Sequence, residues 1–397
     1  MKTVLITDAE ALASLAIVRS LAKKNISVSC IGEKKSDICF SSLYVKEKII
    51  LLPYNENRDK YIASLIQILK NRKYDLLIPV TDASLTLISE NYNKLCKYAK
   101  ISIPTNSVVK RILNKEEVLK KAKSLGIPVP KTFFIKNLKE LKDFSEKTNY
   151  PLVIKPKFSR FWFKGELTKG EVDFIGNSKE LISKYKKIDK KSPRPLVQEM
   201  LKGEERGVFV FIHQGETKAI FAHKRLKSLN KNGGVSVIRE SIALDSELKD
   251  NSIKLLKALN WEGVAMVEFK KDLKDNKFKL MEINPRFWGS LQLAIESGVD
   301  FPYLYYQAAI GKEANPVLKY KTGIKCRWLY GDFSRLLNIL RKPNKISNKM
   351  KEALQFFNFL NYRYDDFRLD DPLIIFNEFY HLFIEVIRKI VGIKNED

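Results

Sequence analysis

Short apolar runs alternate with amphipathic segments over the first hundred residues, and this alternation limits the fold more than any other feature of the sequence. The apolar runs lie at residues 4–6, 26–31, 49–52 and 76–80, and the amphipathic segments lie at residues 9–24 and 59–71. Apolar residues recur at helical spacing in the amphipathic segments, whereas the runs are short enough for buried strands. This order predicts βαβ units, in which helices cover both faces of a parallel sheet. We therefore expect a Rossmann-like N-terminal domain.

The predicted domain lacks the glycine motif of dinucleotide-binding proteins. Its first strand leads into Thr7-Asp8-Ala9-Glu10-Ala11, which offers no glycine for a close approach of pyrophosphate to the backbone. The pairs Thr7-Asp8 and Thr81-Asp82 follow strands at the edge where open parallel sheets bind ligands. Helix N-capping accounts for both aspartates equally well, and we favour that interpretation.

Two changes of pattern divide the chain into three parts. Residues 103–107 interrupt the alternation, and beyond them long β-type runs mix with helices in α+β order. From about Lys325 the pattern becomes helical and aromatic. We predict an α/β and α+β protein with a Rossmann-like domain at residues 1–105, a second domain at 106–322 and a helical C-terminal extension at 323–397.

The last predicted helix spans residues 372–393, an apolar segment with polar residues at helical spacing. These polar residues are Asn377, Glu378, His381, Glu385, Arg388 and Lys389. We favour packing of the apolar face on the protein body or on a second subunit over its insertion into a membrane interface. A homodimer is the default expectation.

Basic residues exceed acidic residues, with 72 Lys and Arg against 46 Asp and Glu and a formal net charge of +26. Clustered positive charge is typical of nucleic-acid-binding proteins. Here the lysines are scattered along the chain, and no RNA-recognition, zinc-finger or helix-turn-helix motif accompanies them. We therefore favour solvated lysine-rich faces over a polyanion-binding patch, and we expect no nucleic-acid partner.

The start of the chain and its cysteines predict a cytoplasmic protein. The first apolar run stops after three residues, which is too short for the core of a signal peptide. The sequence also has no stretch of about 18 apolar residues that predicts a membrane span. Cys30, Cys39, Cys96 and Cys326 form no paired motif, as expected in a reducing compartment.

The segment Phe278–Arg286 carries the strongest chemical signal. In a strand, Glu282 and Asn284 share one face, while Met281 and Ile283 point to the other. A second predicted strand, at residues 263–270, places Glu268 among apolar residues, within reach of Glu282 across a hairpin. Oxygen ligands of this kind suit Mg²⁺ bound together with nucleotide phosphates. The alternative is a pair of strand-end carboxylates that face solvent.

Four further elements agree with a nucleotide site. Lys155 ends the apolar strand Leu152–Lys155, and Lys115 begins a helix. The segment from Val197 to Glu205 leaves a strand for an acidic turn, where carboxylates and free backbone could bind adenine and ribose. Arg286 is placed to counter the charge of a phosphoryl group.

At these residues the sequence resembles the ATP-grasp superfamily of carboxylate–amine ligases, in the branch of carbamoyl-phosphate synthase large chains. The resemblance covers about residues 1–322 and implies a pre-ATP-grasp domain followed by two ATP-grasp subdomains. It rests on an ordered set of short motifs. These are Lys115, Ile154-Lys155-Pro156, Val197-Gln198-Glu199-Met200-Leu201, Glu205, Glu268 and Glu282-Ile283-Asn284-Pro285-Arg286.

The resemblance implies a role for each of these residues. Lys115 and Lys155 hold ATP phosphates, Glu199 and the backbone of Met200 and Leu201 contact adenine, and Glu205 contacts ribose. The metal ligands are Glu268, Glu282 and Asn284, which hold one or two Mg²⁺, with Mn²⁺ as an alternative. The residues that act on the reacting groups are Arg286, Lys155 and Arg225. For Arg225, beside the turn Gly233-Gly234, an ordinary surface charge on a hairpin is the competing interpretation.

The expected reaction joins a carboxylate to an amine through an acyl phosphate, with an amino acid or a small carboxylic acid as substrate. The sequence departs from the family at residues 157–165, where a glycine-rich phosphate loop is usual and the only glycine is Gly165. Ser159 and Arg160 could replace the backbone contacts of such a loop. This departure motivates the alternative of a non-catalytic, ATP-binding regulatory protein.

Overall fold

The computed structural model describes residues 2–380, except residues 165, 231, 232, 342 and 344, together with residue 384. The first part of the chain is an alternating α/β unit. Its elements are β1 (Thr3–Ile6), α1 (Leu12–Ala22), β2 (Ser27–Gly32), β3 (Val45–Ile50), α2 (Arg58–Arg72), β4 (Leu76–Ile78), α3 (Asp82–Glu90) and α4 (Tyr92–Leu95).

The four strands of this unit form a parallel sheet in the order β3-β2-β1-β4. Side chains alternate across it, because Val4 and Ile6 pack with α1 while Leu5 packs with Leu65 and Leu69 of α2. The predicted parallel sheet with two covered faces is therefore confirmed.

The prediction of a strand at residues 49–52 was wrong in its bounds. The strand is β3, and it ends at Ile50. This strand lies at the sheet edge, and its residues alternate between buried and exposed positions. Because its first residues are partly polar, the pattern of apolar runs did not predict where it begins. Leu52 lies beyond the strand and is 61% exposed.

The described residues of the next part contain four helices and a small antiparallel sheet in the order β5-β10-β6-β9. A separate hairpin, β7–β8, follows the end of β6. The elements are α5 (Asn106–Leu113), α6 (Lys115–Ser124), β5 (Thr132–Phe133), α7 (Leu138–Lys147), β6 (Leu152–Lys155), β7 (Arg160–Phe163), β8 (Glu166–Lys169), β9 (Asp173–Ile175), α8 (Ser178–Asp189) and β10 (Leu196–Glu199).

A seven-stranded sheet forms the largest part of the protein, in the order β15-β14-β11-β12-β13-β16-β17. Its elements are β11 (Glu205–His213), β12 (Glu216–Asn230), β13 (Gly233–Ser241), α9 (Ser246–Ala258), β14 (Gly263–Lys271), β15 (Phe278–Asn284), α10 (Leu291–Glu296), α11 (Phe301–Ala309), β16 (Lys325–Arg327), α12 (Leu329–Arg341), α13 (Ile346–Phe356) and β17 (Arg363–Tyr364).

The C-terminal segment, predicted as a helical extension, also contributes two strands to this sheet. Cys326 of β16 pairs with Arg239 of β13 on one side and with Arg363 of β17 on the other. The strands have three and two residues, which is too short for a periodic signal in the sequence. The division of the chain at residues 105 and 322 remains a prediction.

The predicted helix at residues 372–393 is described as far as residue 380, and residues 373–380 are helical. His381, Glu385, Arg388 and Lys389 lie outside the described residues. Ile374 and Ile375, in these helical residues, are buried, and each packs in a different apolar cluster of the protein body. No described helix is long and apolar enough to cross a membrane.

Buried ion pairs connect the end of the chain with its beginning. Arg19 of α1 donates to Asp371 at 2.8 Å, and the two side chains are 3% and 0% exposed. Arg19 also donates to the backbone carbonyl oxygen atoms of Asp365 and Asp366. Asp371 further accepts hydrogen bonds from the Ser42 hydroxyl and the Leu43 amide, each at 2.8 Å. The C-terminal segment thus completes the N-terminal unit.

We predict that Asp371→Asn lowers the free energy of unfolding by roughly 3–5 kcal/mol, because Arg19 is left as a buried charge without a charged partner. Urea unfolding followed by circular dichroism measures this loss. Asp370→Asn is the matched control, since the neighbouring Asp370 forms a partly exposed ion pair with Lys23, and it should cost less than about 1 kcal/mol. Equal losses in the two variants would contradict the assignment.

A second prediction concerns pH. Burial, followed by the neighbouring Asp366 carboxylate, raises the pKa of Glu378 from its ordinary value of 4.5 to about 9. The folded protein therefore keeps a proton that the unfolded chain releases, so the stability contributed by this group falls as pH rises from 4.5 toward 9. Glu378→Gln cannot ionise, and at pH 8 it should exceed the parent protein in stability by at least about 1 kcal/mol.

The thermal midpoint of the Glu378→Gln variant, measured at several pH values, tests this prediction. The advantage of the variant should shrink toward pH 5, because the carboxyl group of the unfolded parent then becomes increasingly protonated as well. A variant that is equally stable to the parent at pH 8 would show that Glu378 is ionised in the folded protein.

Candidate active site

Two carboxylates and an amide meet on one face of the large sheet. Glu268 of β14 lies directly opposite Glu282 of β15, and Met266 lies opposite Asn284. Since alternate residues of a strand share a face, Glu282 and Asn284 point the same way. The Asn284 amide donates to Oε1 of Glu268 at 3.0 Å. The structure therefore brings together the three predicted metal ligands.

A bulge interrupts the register of the two strands directly beside this pair, between Glu268 and Phe269. Phe269 pairs with Leu280, so Met281 is the extra residue on β15. The bulge changes the register beyond the site, and the alternation of Glu282 and Asn284 is preserved on the site side. The sequence contains no signal for this bulge.

Two lysines approach the carboxylates from other parts of the chain. Lys115 lies at the first position of α6, where its ammonium group is 3.2 Å from Oε2 of Glu282 and also bonds the Ser159 hydroxyl. Lys155 ends β6 and is 6% exposed. Burial lowers the pKa of Lys155 to about 8, although Glu282 opposes this shift. A buried lysine of this kind favours an anionic partner.

The two carboxylates differ in their ionisation. Burial and then the charge of Glu282 raise the pKa of Glu268 to about 7. Burial also acts against the charge of Glu282, but Lys115 and Lys155 outweigh it and lower the pKa of Glu282. Two adjacent acidic groups fit a hard divalent cation, which would relieve the repulsion between the carboxylates. The Asn284 oxygen accepts from Arg286 here, and the described residues contain no group of three or more His, Cys, Asp and Glu side chains placed to hold a metal ion.

Arg286 joins this cluster to the N-terminal unit. Its Nε donates to Oδ1 of Asp82 at 2.7 Å, and Nη2 donates to Oδ1 of Asn284 at 3.1 Å. Asp82 lies in the first turn of α3 and is 8% exposed. One guanidinium thus connects a metal-ligand candidate with a residue 204 positions away.

The interpretation of Asp8 and Asp82 as N-caps was wrong. Thr81 caps α3 in a capping box with Ser84, whereas Asp82 points to Arg286. Asp8, in a left-handed conformation with φ of 60°, accepts hydrogen bonds from the amide and hydroxyl of Thr81. Strand-end position was the available signal for both residues, and it could not distinguish capping from contact with a distant side chain.

Arg225 lies beside the metal-ligand candidates. Its Nη1 is 2.6 Å from Oε2 of Glu205, and its Nη2 is 3.6 Å from Oε2 of Glu268. Lys270 contacts the other oxygen of Glu205 at 3.0 Å. The residues predicted to bind ribose and a substrate carboxylate therefore contact each other, and their separate roles remain predictions.

The segment predicted to contact adenine lies at the end of β10. Oε1 of Glu199 accepts from the Lys131 amide at 2.9 Å and lies 3.2 Å from Nζ of Lys279. Leu201 is buried, and Met200 is partly buried. The sequence analysis did not identify Lys279 as a site residue. Its acidic partners Asp272 and Asp275 lie in the turn before it, and such a turn is typical of a solvated loop.

His223 is a further residue of this face. It is 3% exposed and lies opposite Gly207, with its ring 4.7 Å from that of Phe209. A Cβ atom on Gly207 would lie 2.8 Å from Phe209 and 3.0 Å from Nε2 of His223, so the space beside Glu268 depends on this glycine. Burial, Arg239 and Arg225 lower the pKa of His223 and keep the ring neutral.

The glycine-poor segment leads into the hairpin β7–β8. The Ser159 hydroxyl accepts a hydrogen bond from Lys115, and the predicted replacement of backbone phosphate contacts by Ser159 and Arg160 stays a prediction. Trp162 reaches the N-terminal unit, where the guanidinium of Arg58 lies 4.6 Å from its ring. The hairpin thus bridges the small sheet and the N-terminal unit.

Comparisons with known proteins agree with this geometry. Residues 191–331 match a family model described as ATP-grasp in the biosynthetic pathway with Ter operon. The carbamoyl phosphate synthase large chain of Pyrococcus furiosus is 24% identical over 299 residues, which are 72% of this chain and 27% of that protein. The large chain of Thermoanaerobacter pseudethanolicus is 25% identical over 225 residues, 54% of this chain and 20% of that protein. The chain spans between a fifth and about a quarter of the length of these relatives.

Solved structures show the same fold. Biotin carboxylase of Campylobacter jejuni, in a β-γ-ATP complex, aligns with a TM-score of 0.65 and 17% identity over 82% of this chain and 74% of that chain. L-amino acid ligase of Bacillus licheniformis aligns with a TM-score of 0.62 and 18% identity over 80% of this chain and 78% of that chain. N5-carboxyaminoimidazole synthetase of Staphylococcus aureus, complexed with ADP, aligns with a TM-score of 0.63 and 18% identity over 82% of this chain and 80% of that chain. The architecture is the mixed α/β ATP-grasp fold.

Proposed function

Since the chain contains an ATP-grasp domain, we propose that it is a Mg²⁺- and ATP-dependent ligase that joins a carboxylate to an amine through an acyl phosphate. One observation carries the proposal. Three cationic side chains from different elements, Lys115, Lys155 and Arg286, surround the pair Glu268 and Glu282. Alternating positive and negative groups of this kind suit a metal–triphosphate complex.

In the first step, a substrate carboxylate oxygen attacks the γ-phosphorus of ATP. A new P–O bond forms, the bond to the β-phosphate oxygen breaks, and ADP leaves. Lys155 and Lys115 hold the phosphate charge, and Arg286 lies beside Asn284 to stabilise the transferring group. Glu268, Glu282 and Asn284 would hold Mg²⁺, which would supply charge neutralisation for the phosphates.

In the second step, the amine nitrogen attacks the acyl carbon. The C–N bond forms, the C–O bond to phosphate breaks, and the proton lost from nitrogen leaves with phosphate or solvent. The chain contributes mainly position and charge to both steps, because the groups around the cluster are cations and metal-ligand candidates.

An amino acid or a small carboxylic acid is the substrate class that we propose. Arg225 supports it, since a guanidinium beside the metal-ligand candidates can pair with a carboxylate in two parallel hydrogen bonds. Such a substrate would take over the contact that Arg225 makes with Glu205. The likeness to an L-amino acid ligase is consistent with this class.

One prediction tests the proposed reaction itself. With ATP, Mg²⁺, hydroxylamine and pooled amino acids or small carboxylic acids, the protein should form hydroxamate and phosphate. Glu282→Ala combined with Asn284→Ala should lower both products at least about a hundredfold, because the phosphate charge is no longer neutralised. Glu240→Ala is the matched control: this carboxylate pairs with Lys224 and lies on the opposite face of the sheet.

Unchanged turnover in the double variant would remove Glu282 and Asn284 from the metal site. ATP binding without ADP formation across the pools would instead favour the regulatory alternative, which the glycine-poor hairpin motivates.

Another prediction concerns Asp82, which we propose positions Arg286. Asp82→Asn should weaken its bond to Arg286 and lower kcat about tenfold, equivalent to about 1.4 kcal/mol of transition-state stabilisation, while KM for ATP stays within about twofold. Asp82→Glu should recover part of kcat. Asp59→Asn is the control, because Asp59 also lies in the first turn of a helix of the same unit. A parallel fall in stability without a change in kcat would show a structural role only.

A further inference from the structure

Helix α13 exposes a line of large apolar side chains. Ile346 is 76% exposed, Met350 61%, Leu354 72% and Phe357, just past the helix, 67%. Spacings of four, four and three residues place them within an arc of about 80° on the helix surface. Leu360, 96% exposed, follows at the end of this line. We call these five side chains the α13 face.

The other side of the helix is fixed to the protein, so the α13 face points outward. Phe356 is 8% exposed and packs with Leu329 and Leu336. Glu352 forms two parallel contacts with Arg335, at 2.8 and 2.9 Å, and lies 3.1 Å from Lys227 of β12. Rotation of the helix to bury the α13 face would break these contacts.

The surroundings of the α13 face are basic. Residues 341–363 contain six Lys and Arg residues and one acidic residue, Glu352, whose carboxylate is engaged by Arg335 and Lys227. Arg341, Lys345 and Lys351 are exposed. An apolar stripe bordered by cations is the pattern of helices that lie in a membrane interface.

We propose that the α13 face binds the surface of an anionic lipid bilayer, with its apolar side chains at the acyl boundary and its basic residues among the headgroups. Charge selects this occupant over two others. A second copy of the chain would bring two basic borders together, which is repulsive. A nucleic acid would satisfy the cations and leave the five apolar side chains in water.

Helix α13 is also tied to a strand of the large sheet. Lys227, which contacts Glu352 of the helix, lies on β12, the strand that carries Arg225.

Sedimentation with lipid vesicles tests the proposal on the full chain. We expect binding to phosphatidylcholine vesicles with about 30% phosphatidylglycerol, little binding to pure phosphatidylcholine, and loss of binding between about 0.1 and 1 M salt. Met350→Glu with Leu354→Glu should reduce the bound fraction at least about tenfold. Leu273→Glu is the matched control, because Leu273 is a 70% exposed leucine beside Lys274 in a different part of the protein.

Three outcomes would overturn the proposal. One is the absence of binding to the anionic vesicles at low salt, and another is equal binding by the double variant and the parent. The third is a dimer that the double variant converts to a monomer, which would assign the α13 face to a second copy. Ile346→Glu is a second variant of the same face and should also reduce binding. The thermal midpoints of these variants should equal that of the parent, because Ile346, Met350 and Leu354 are exposed in the folded protein. Unchanged midpoints then separate loss of binding from loss of folding.

Discussion

The register of β14 against β15 sets Glu268 opposite Glu282, and the rest of the site follows from the repulsion between these two carboxylates. Neither group can be ionised at low cost unless positive charge lies close to it. The protein supplies that charge from four elements: Lys115 at the start of α6, Lys155 at the end of β6, Arg225 on β12 and Arg286 after β15. The cations therefore serve the fold and the proposed chemistry together, because the groups that hold the carboxylates in place are those that a bound triphosphate would need.

The N-terminal unit is part of this site through its contacts, although it carries no nucleotide motif. Asp82 orients Arg286, and Trp162 of the β7–β8 hairpin rests on Arg58. The apolar core is also continuous, since one cluster runs from Val4 and Ile6 to Trp288 and Phe301. The position of the site thus depends on packing between parts of the chain that the sequence separates.

Much of this could be predicted from local patterns. The apolar alternation of the first hundred residues predicted the parallel sheet, and the two-residue period around Glu282 predicted the shared face with Asn284. Pairings between distant residues could not be predicted in this way. The contact of Asp82 with Arg286, the bulge at Met281 and the two short strands β16 and β17 depend on tertiary structure, and none of them leaves a period in the sequence. Lys279 was missed and Asp82 was wrongly assigned to a helix cap for the same reason, because charged residues beside turns and helix starts usually face solvent.

The contact between Arg19 and Asp371 also bears on how the protein is made. These residues are 352 positions apart, so most of the chain is synthesised before the partner of Arg19 exists. Until then Arg19 lacks the carboxylate and the two backbone carbonyl oxygen atoms that it binds in the folded protein. Domains usually begin to fold in order of synthesis, but here the first unit reaches its final state last. Translation to the end of residue 371 is therefore a condition for the first twenty residues to be fully folded.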